Sequence, residues 1–217
     1  MRWDRDLMAG PDDTHTLVTT TVAEWQAAED AFLTGVDLRG AATVAGFSAH
    51  PTIEASTASH VELTGADLTR LEAIEVAWRN CDLANATLAT AGLFRTTFTG
   101  CRLTGCELTG AYLNQVTFTD CRLDLTGWQT AKLKQVRFER CVLTGADLTD
   151  CQLTQVTFTA CDVDQLALSG TKLRGLDLST CRFKQLDVAP QQLRGLRVTH
   201  AQAGQLATQL LGLTLVD

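Results

Sequence analysis

The most reactive side chains in this sequence belong to its eight cysteines, and their spacing is regular. Six of them recur at intervals of twenty residues, and all lie at positions whose numbers end in 1 or 6. Convergent thiolates could bind zinc, and neighbouring thiols could form disulfides. The cysteines are Cys81, Cys101, Cys106, Cys121, Cys141, Cys151, Cys161 and Cys181.

Neither a metal site nor a set of disulfides is the favoured interpretation of this pattern. No histidine lies near a cysteine pair with zinc-ligand spacing, and the four histidines are His15, His50, His60 and His200. Cysteines stacked at the strand spacing of ~4.8 Å would have suitable Cα separations, but their parallel Cβ atoms would be too far apart. The sequence favours buried thiols that act as small apolar side chains in a reducing compartment.

Catalytic motifs are absent from the sequence. It contains no phosphate-binding loop, no GxSxG nucleophile motif and no dinucleotide-binding fingerprint. We therefore expect a protein that is not an enzyme and that uses neither a metal nor another cofactor.

A five-residue repeat predicts the elements that position these side chains. Residues 61–200 divide into fives without insertion or deletion, as in "CRLTG CELTG AYLNQ VTFTD". The central residue of each five is Leu, Phe, Val or Trp almost throughout, with Ala73 as the exception, and the residue two before it is mostly small or short and apolar. Since a helix has a period of about 3.6 residues and a strand a period of about two, neither regular element fits.

A longer period of twenty residues predicts the shape of the coil. Phenylalanine recurs at every fourth central position, as Phe98, Phe118, Phe138 and Phe158. Short extended segments joined by tight turns would direct both apolar residues of each five inwards. Four such segments close a square coil, and equivalent residues of successive coils would stack at ~4.8 Å.

These fives resemble the A(D/N)LXX consensus of the pentapeptide-repeat family, which appears literally as "ADLTR" at 66–70 and "ADLTD" at 146–150. The resemblance implies an all-β fold, a right-handed quadrilateral β-helix, with a short C-terminal helix and strand after it.

The same register suggests how the chain is divided. We expect the β-helix to span 31–200, with 31–60 degenerate because Thr43, Ser48 and Ala58 occupy central positions there. The N-terminal segment 1–30 has no assigned structure, except that Thr21 could cap a short helix around Glu24 to Ala28.

Residues 201–217 break the fives and are expected to form a C-terminal cap and dimerisation module. Ala203 to Leu211 follow helical spacing, Gly212 suits a helix C-cap, and "LTLV" is typical of a short strand. A solenoid needs a cap on its last coil, and apolar surface beyond that need would form a two-fold dimer contact. The candidate dimer residues are Leu206, Leu210, Leu213 and Leu215.

This tail resembles that of the topoisomerase-protecting subgroup, the Qnr, MfpA and albicidin-resistance type proteins. The resemblance implies a homodimer joined through its C-termini and an acidic surface that imitates DNA. It also implies binding to DNA gyrase or topoisomerase IV, which relieves inhibition by quinolones or other gyrase poisons. The coils of this chain lack the loops that often interrupt Qnr proteins, so the chain is similar to the loopless members.

Carboxylates recur on one side of the predicted coil, and we call them the acidic stripe. Regularly spaced carboxylates on a rigid rod could imitate DNA phosphates. The stripe comprises Asp67, Glu107, Asp147, Asp150 and Asp187, with Asp124 and Asp164 at the corner leading into it. The adjacent side carries five bases that we call the basic patch: Lys132, Lys134, Lys172, Arg174 and Arg194.

The charge balance and the apolar runs limit the function further. A formal net charge of −7 disfavours direct binding to nucleic acid or to an anionic membrane. No apolar run approaches the length of about 18 residues that a membrane span needs, and no signal peptide is evident, so we expect a cytoplasmic protein. The leading hypothesis is a DNA mimic that binds a type II topoisomerase. The alternative is a generic interaction scaffold with a different regulatory partner, because fold alone does not fix function.

Overall fold

The computed structural model describes residues 17–42, 46–47, 50–214 and 216. From Phe32 onwards its strands pair in parallel with partners twenty residues away, so that Phe118 lies between Phe98 and Phe138, whereas Val18 pairs with Val36. One coil is therefore twenty residues long, as the longer sequence period predicted.

Each coil has four sides, which we number in chain order. Side 1 contains Leu103 and side 2 contains Leu108, and isolated parallel bridges join successive coils on both. Side 3 is a seven-stranded parallel sheet and side 4 an eight-stranded one. This arrangement confirms the predicted quadrilateral β-helix.

The strands are short, and most have three residues. Side 3 consists of β2 (Phe32–Thr34), β4 (Thr52–Glu54), β6 (Glu72–Ile74), β8 (Gly92–Phe94), β10 (Tyr112–Asn114), β12 (Lys132–Lys134) and β14 (Gln152–Thr154). Side 4 consists of β1 (Val18–Thr21), β3 (Val36–Arg39), β5 (Thr57–Ser59), β7 (Ala77–Arg79), β9 (Thr97–Thr99), β11 (Thr117–Thr119), β13 (Arg137–Glu139) and β15 (Thr157–Thr159). A two-stranded pair on side 2 is formed by β16 (Leu166–Ala167) and β17 (Leu186–Asp187).

Both inward positions of the repeat form one continuous core. The central residues Leu103, Leu108, Leu113 and Phe118 of a single coil are at most 1% exposed. Phe98, Phe118, Phe138 and Phe158 stack with centroid separations of 4.8, 5.1 and 4.8 Å. The predicted stacking of equivalent residues is therefore confirmed.

Backbone conformation explains the residues found at the corners. The last residue of most repeats has a positive φ, for example 69° at Gly105 and 55° at Asn85. Glycine adopts this region without steric cost, and asparagine tolerates it better than most residues. Hydrogen-bonded ladders on both sides hold even Arg70 and Thr90 there, at 64° and 56°.

The N-terminal end of the rod is closed by helix α1 (Val22–Ala27). The Thr21 hydroxyl accepts a hydrogen bond from the Glu24 N–H at 3.2 Å, and the Glu24 carboxylate accepts one from the Thr21 N–H at 2.7 Å. Val22 and Trp25 are fully buried, and the Trp25 indole donates to the Ala31 carbonyl at 2.7 Å. The predicted Thr21 cap is confirmed.

The coil of residues 41–60 was expected to be distorted, and the described part shows where. Ala41 pairs with Glu62, one residue out of the twenty-residue register. From β4 onwards the register is regular, and Ile53 and Ala58 are fully buried. Thr43 and Ser48 lie outside the described residues.

The C-terminal end begins with a 3-10 helix (Pro190–Leu193) and continues into helix α2 (His200–Leu211). Thr199 caps the start of α2 through the Gln202 N–H at 3.2 Å, and Gly212 ends it with a φ of 65°. The short strand predicted after Gly212 includes Leu215, which lies outside the described residues. Leu213, Thr214 and Val216 take part in no strand pairing. Within the described residues, neither helix has the length and apolarity needed to cross a membrane.

Candidate partner-binding surface

The acidic stripe lies on side 2, where one outward residue per coil forms a single column. Parallel pairing places Asp67, Thr87, Glu107, Gly127, Asp147, Ala167 and Asp187 in that order along the rod. A carboxylate therefore recurs at every second coil, which corresponds to ~9.6 Å. The backbone ladder fixes this spacing.

Local hydrogen bonds orient three of these carboxylates. The Asp67 and Asp147 carboxylates accept hydrogen bonds from the N–H two residues on, at 3.0 and 2.8 Å. The Thr109 hydroxyl donates to Glu107 at 2.9 Å. Hydrogen bonds from the Thr69 hydroxyl and N–H lower the pKa of Asp67 below its usual range, so this carboxylate is ionised at neutral pH.

Gly127 makes room for the Glu107 side chain. A Cβ atom added at Gly127 would lie 2.9 Å from the Glu107 Oε1 atom, because the carboxylate extends over this glycine. Two residues after Gly127 in the same coil, the Gln129 amide donates to Asp147 of the next coil at 2.6 Å. Gly127 therefore leaves space for the Glu107 carboxylate, and Gln129 orients the Asp147 carboxylate.

The two corner carboxylates differ from each other. Asp124 accepts a hydrogen bond from the Thr104 hydroxyl at 3.0 Å and forms an ion pair with Arg122 at 3.3 Å. Asp164 accepts hydrogen bonds from the Lys184 and Gln185 N–H groups at 2.8 and 3.0 Å. Partial burial acts to raise the pKa of Asp164, but these two donors together with the positive charge of Lys184 outweigh it and the pKa is lowered. Asp164 thus keeps its charge without an ion pair, whereas the charge of Asp124 is balanced.

Two further stripe carboxylates, Asp150 and Asp187, are open to solvent. Asp150 is exposed at the corner between sides 2 and 3, next to Gly170. Asp187 is exposed in the last regular coil and lines an open cavity of about 410 Å³ together with Gln209 and Leu210 of α2. The stripe therefore extends to the C-terminal cap.

Most of the stripe carboxylates take no part in ion pairs with the residues that the structure describes. Seven ion pairs join arginines to carboxylates among the described residues. Asp124 is the stripe member that takes part, and the other six belong to none of these pairs. Glu54, Glu62, Glu72 and Glu139 on the other sides take part in none of these ion pairs either, so the stripe is distinguished by its regular column on side 2.

The predicted dimer residues take different places. Leu206 is 5% exposed and packs into the core of its own chain, so it acts as a cap residue and offers little surface to a second copy. Leu210 is partly buried against the same core, and Leu213 is 48% exposed. Leu215 lies outside the described residues. Leu211 and Val216, which the sequence analysis did not select, are 61% and 91% exposed and enlarge the apolar surface at this end.

Two glutamines that were not predicted from the sequence hold the cap in place. The Gln202 amide donates to the carbonyls of Leu178 and Cys181 at 3.0 and 2.7 Å. Gln209 both donates to the Leu186 carbonyl and accepts from its N–H. Both lie on the same face of α2, seven residues apart, and this spacing was the available signal.

A family model agrees with this architecture. The model described as the pentapeptide repeat region matches residues 71–140 and 131–206, which together are more than half of the chain. The chain belongs to the pentapeptide-repeat family.

Solved structures match this chain at low sequence identity. One of them is full-length QnrB1, described as a plasmid-mediated fluoroquinolone resistance protein, which is 17% identical in sequence. The match covers 90% of this chain and 100% of QnrB1, with a TM-score of 0.35. Another is HetL from the cyanobacterium Nostoc sp. strain PCC 7120, described as a pentapeptide repeat protein involved in heterocyst differentiation regulation. It is 18% identical in sequence, and the match covers 82% of this chain and 91% of HetL, with a TM-score of 0.30. No curated protein matches the sequence.

In this pentapeptide-repeat protein the eight cysteines are buried free thiols. Several thiols donate to backbone carbonyls, as Cys106 does to Ala86 at 3.1 Å. Burial raises the pKa of Cys106 to about 12, with a smaller contribution from the Glu107 charge, so the thiol is protonated at neutral pH. Among the described residues no group of three or more His, Cys, Asp or Glu side chains is arranged to hold a metal ion.

Proposed function

We propose that this protein is a non-catalytic DNA mimic that binds DNA gyrase or topoisomerase IV in the cytoplasm. Through this contact it would protect the enzyme from quinolones or other gyrase poisons, or otherwise modulate it. The observation that carries the proposal is the column of Asp67, Glu107, Asp147 and Asp187, which places a carboxylate at every second coil on one side of a repetitive rod.

Electrostatic matching supports this choice of partner. A protein that binds duplex DNA presents lysines and arginines to a regular array of phosphates. The stripe offers carboxylates at ~9.6 Å intervals on backbone ladders, so little conformational entropy is lost when they meet such a surface. Because like charges repel, the same stripe disfavours direct contact with nucleic acid.

A dimer joined through the C-termini would extend the stripe. Leu211, Leu213 and Val216 expose apolar surface beyond the cap, at the end of the rod nearest Asp187. Two copies joined there would bring two stripes into one longer acidic surface. The proposed contact comprises Leu211, Leu213 and Val216 with Leu210 beside them, keeps Leu215 as a prediction from the sequence, and excludes Leu206, which the cap already uses.

Gyrase supercoiling with purified protein tests the proposal, with and without a fluoroquinolone. The test variant combines Glu107→Gln, Asp147→Asn and Asp187→Asn, which remove charge while keeping shape. The control variant combines Glu62→Gln, Glu72→Gln and Glu139→Gln, which remove the same charge from other sides. Wild type and control should inhibit supercoiling, or restore it in the presence of the drug. The stripe variant should need at least about tenfold more protein for the same effect, which is equivalent to about 1.4 kcal/mol of binding free energy.

Two outcomes would contradict the proposal. One is an equal loss in both variants, because bulk charge and not the stripe would then be responsible. The other is the absence of any effect of the wild-type protein on gyrase or topoisomerase IV. A scaffold with a different protein partner would then be the better description, and the basic patch on side 3 offers a surface for one.

A further inference from the structure

Side 3 carries a second charged surface that the proposed function does not use. The five side chains of the basic patch are exposed, and none of them takes part in an ion pair among the described residues. Elsewhere on the rod seven arginines are balanced by carboxylates: Arg39, Arg95, Arg102, Arg122, Arg140, Arg182 and Arg197. The patch is therefore a region of unbalanced positive charge on an acidic protein.

The backbone ladder is interrupted in the middle of this patch. One coil earlier, the Gln152 N–H donates to the Ala131 carbonyl at 2.9 Å and the Gln135 N–H donates to the Thr154 carbonyl at 2.8 Å. The equivalent bonds from Lys172 to Cys151 and from Gln155 to Arg174 are not formed, although all of 151–180 is described. The sheets on sides 3 and 4 both end at this point, with β14 and β15. We call this interruption the seam.

Threonine hydroxyls bridge the two coils at two corners of the seam. The Thr171 hydroxyl accepts from the Cys151 N–H at 2.9 Å and donates to the Leu148 carbonyl. The Thr180 hydroxyl accepts from the Ala160 N–H at 3.3 Å. Between these corners the Gln155 N–H and the Cys151 carbonyl have no partner across the seam.

The core is less completely covered at the seam. Leu153 and Val156 are partly exposed, whereas Leu133 and Val136, their counterparts one coil earlier, are 1% and 0% exposed. The seam thus combines unpaired backbone groups with accessible apolar surface. Both features are typical of places where another chain adds to a protein.

Side 3 also presents aromatic surface next to the bases. Phe94 and Tyr112 point outwards and contact edge to face, with centroids 5.6 Å apart, and Tyr112 is 37% exposed. The side-chain oxygen of Asn114, on the same strand as Tyr112, is buried without a hydrogen-bond partner. Aromatic and arginine side chains are enriched in protein interfaces.

We propose that side 3 is a second docking surface, which binds an extended acidic segment of a protein partner across the seam. Lys132 and Lys134 lie two residues apart on one strand, and carboxylates at alternate positions of an extended peptide recur at the same ~6.8 Å. Lys172 and Arg174 form a second such row two coils away. The free Gln155 N–H between the rows adds a hydrogen-bond donor for a partner carboxylate or carbonyl.

The number of bases favours an acidic protein segment over nucleic acid. Nucleic-acid sites of ordinary affinity neutralise roughly 6–10 phosphates. The patch has five bases, and the acidic stripe on the adjacent side would repel a long polyanion. A short acidic segment can engage the patch without passing over the stripe.

Fluorescence anisotropy with a short labelled peptide of alternating Glu and Thr tests this proposal. The test variant is Lys132→Glu with Lys172→Glu. The control is Arg70→Glu with Arg79→Glu, which makes the same change of charge at exposed, unpaired bases elsewhere. We expect the test variant to weaken peptide binding by about tenfold or more, and the control to change it by less than about threefold. Melting curves identify any variant that fails to fold.

Hydrogen exchange on the wild-type protein gives an independent measurement. Peptide binding should slow exchange of the Gln155 amide more than that of Gln135, which is already bonded within the ladder. Equal losses of affinity in the two variants, or no protection at Gln155, would overturn the proposal. Tighter binding to a single-stranded oligothymidine than to the peptide would also overturn it, in favour of a nucleic-acid surface.

Discussion

Phe118 and Phe138 stack one coil apart, with ring centroids separated by 5.1 Å and ring planes 5° from parallel. Trp128 packs edge-on against both rings, at 6.1 and 6.0 Å. All three side chains are fully buried. One aromatic cluster therefore ties neighbouring coils together across sides 2 and 4, close to the acidic stripe residues Glu107 and Asp147.

Replacing Phe138 by Ala should destabilise this cluster. The change removes a ring stacked between two others and leaves a cavity, so the free energy of unfolding should fall by about 3–5 kcal/mol. Urea unfolding followed by circular dichroism measures the loss. Phe94→Ala is the control, because Phe94 points outwards on side 3, and it should cost less than about 1.5 kcal/mol. Equal effects of the two variants would contradict the importance of the stack.

Replacing Trp78, the first ring of the same stack, should have the opposite effect on stability. Its indole nitrogen is buried without a hydrogen-bond partner. A buried unsatisfied donor costs about 1–3 kcal/mol, so Trp78→Phe should leave stability unchanged or raise it, although the ring becomes smaller. Trp25→Phe is the matched control, because the Trp25 indole donates to Ala31, and it should lower stability by about 1–3 kcal/mol. A larger loss at Trp78 than at Trp25 would show that packing outweighs the unpaired donor.

Gln202 should matter for the C-terminal cap. Gln202→Ala leaves the carbonyls of Leu178 and Cys181 without their donor, so we expect a loss of about 1–3 kcal/mol. Limited proteolysis should then release α2 faster than in wild type. Gln205→Ala, on the exposed side of the same helix, should leave the proteolysis rate unchanged. If both variants were cut equally fast, α2 would not depend on these hydrogen bonds.

Much of the fold could be predicted because the repeat makes each inward position recur many times. The five-residue repeat predicted the core positions, and the twenty-residue period predicted the four sides of the coil. Thr21 and Gly212 predicted helix ends. The seam could not be predicted, since residues 161–180 keep the register of the fives without interruption. It depends on how the backbone turns between Thr171 and Thr180, where hydroxyls bridge the two coils.

The candidate site was predictable in position but not in charge balance. The twenty-residue period predicts a column of outward residues on side 2, and this column contains Asp67, Glu107 and Asp147. That Asp124 is balanced by Arg122 depends on side-chain rotamers at a corner, about which the repeat carries no information. The burial of Leu206 in the core of its own chain depends on how α2 packs against the last coil.

The raised thiol pKa values predict how stability depends on pH. Burial raises the pKa of both Cys106 and Cys151 to about 12, whereas a thiol in an unfolded chain ionises near about 8.5. Between these values the unfolded state loses protons that the folded state keeps. The contribution of each thiol is therefore complete below about pH 8.5 and is lost as pH rises, by up to about 1.4 kcal/mol per pH unit.

Urea unfolding between pH 8 and pH 10.5 tests this dependence, since about 1.4 kcal/mol per pH unit is readily measured for each thiol. Cys106→Ala lacks one titrating thiol, so its stability should fall less steeply with pH than that of wild type, even though it starts lower because a cavity is created. Iodoacetamide should modify Cys106 slowly in the folded protein and rapidly in urea, because the thiolate is the reactive form. Parallel slopes in wild type and variant, together with rapid alkylation of the folded protein, would mean that the Cys106 thiol ionises in place and that burial does not control its pKa.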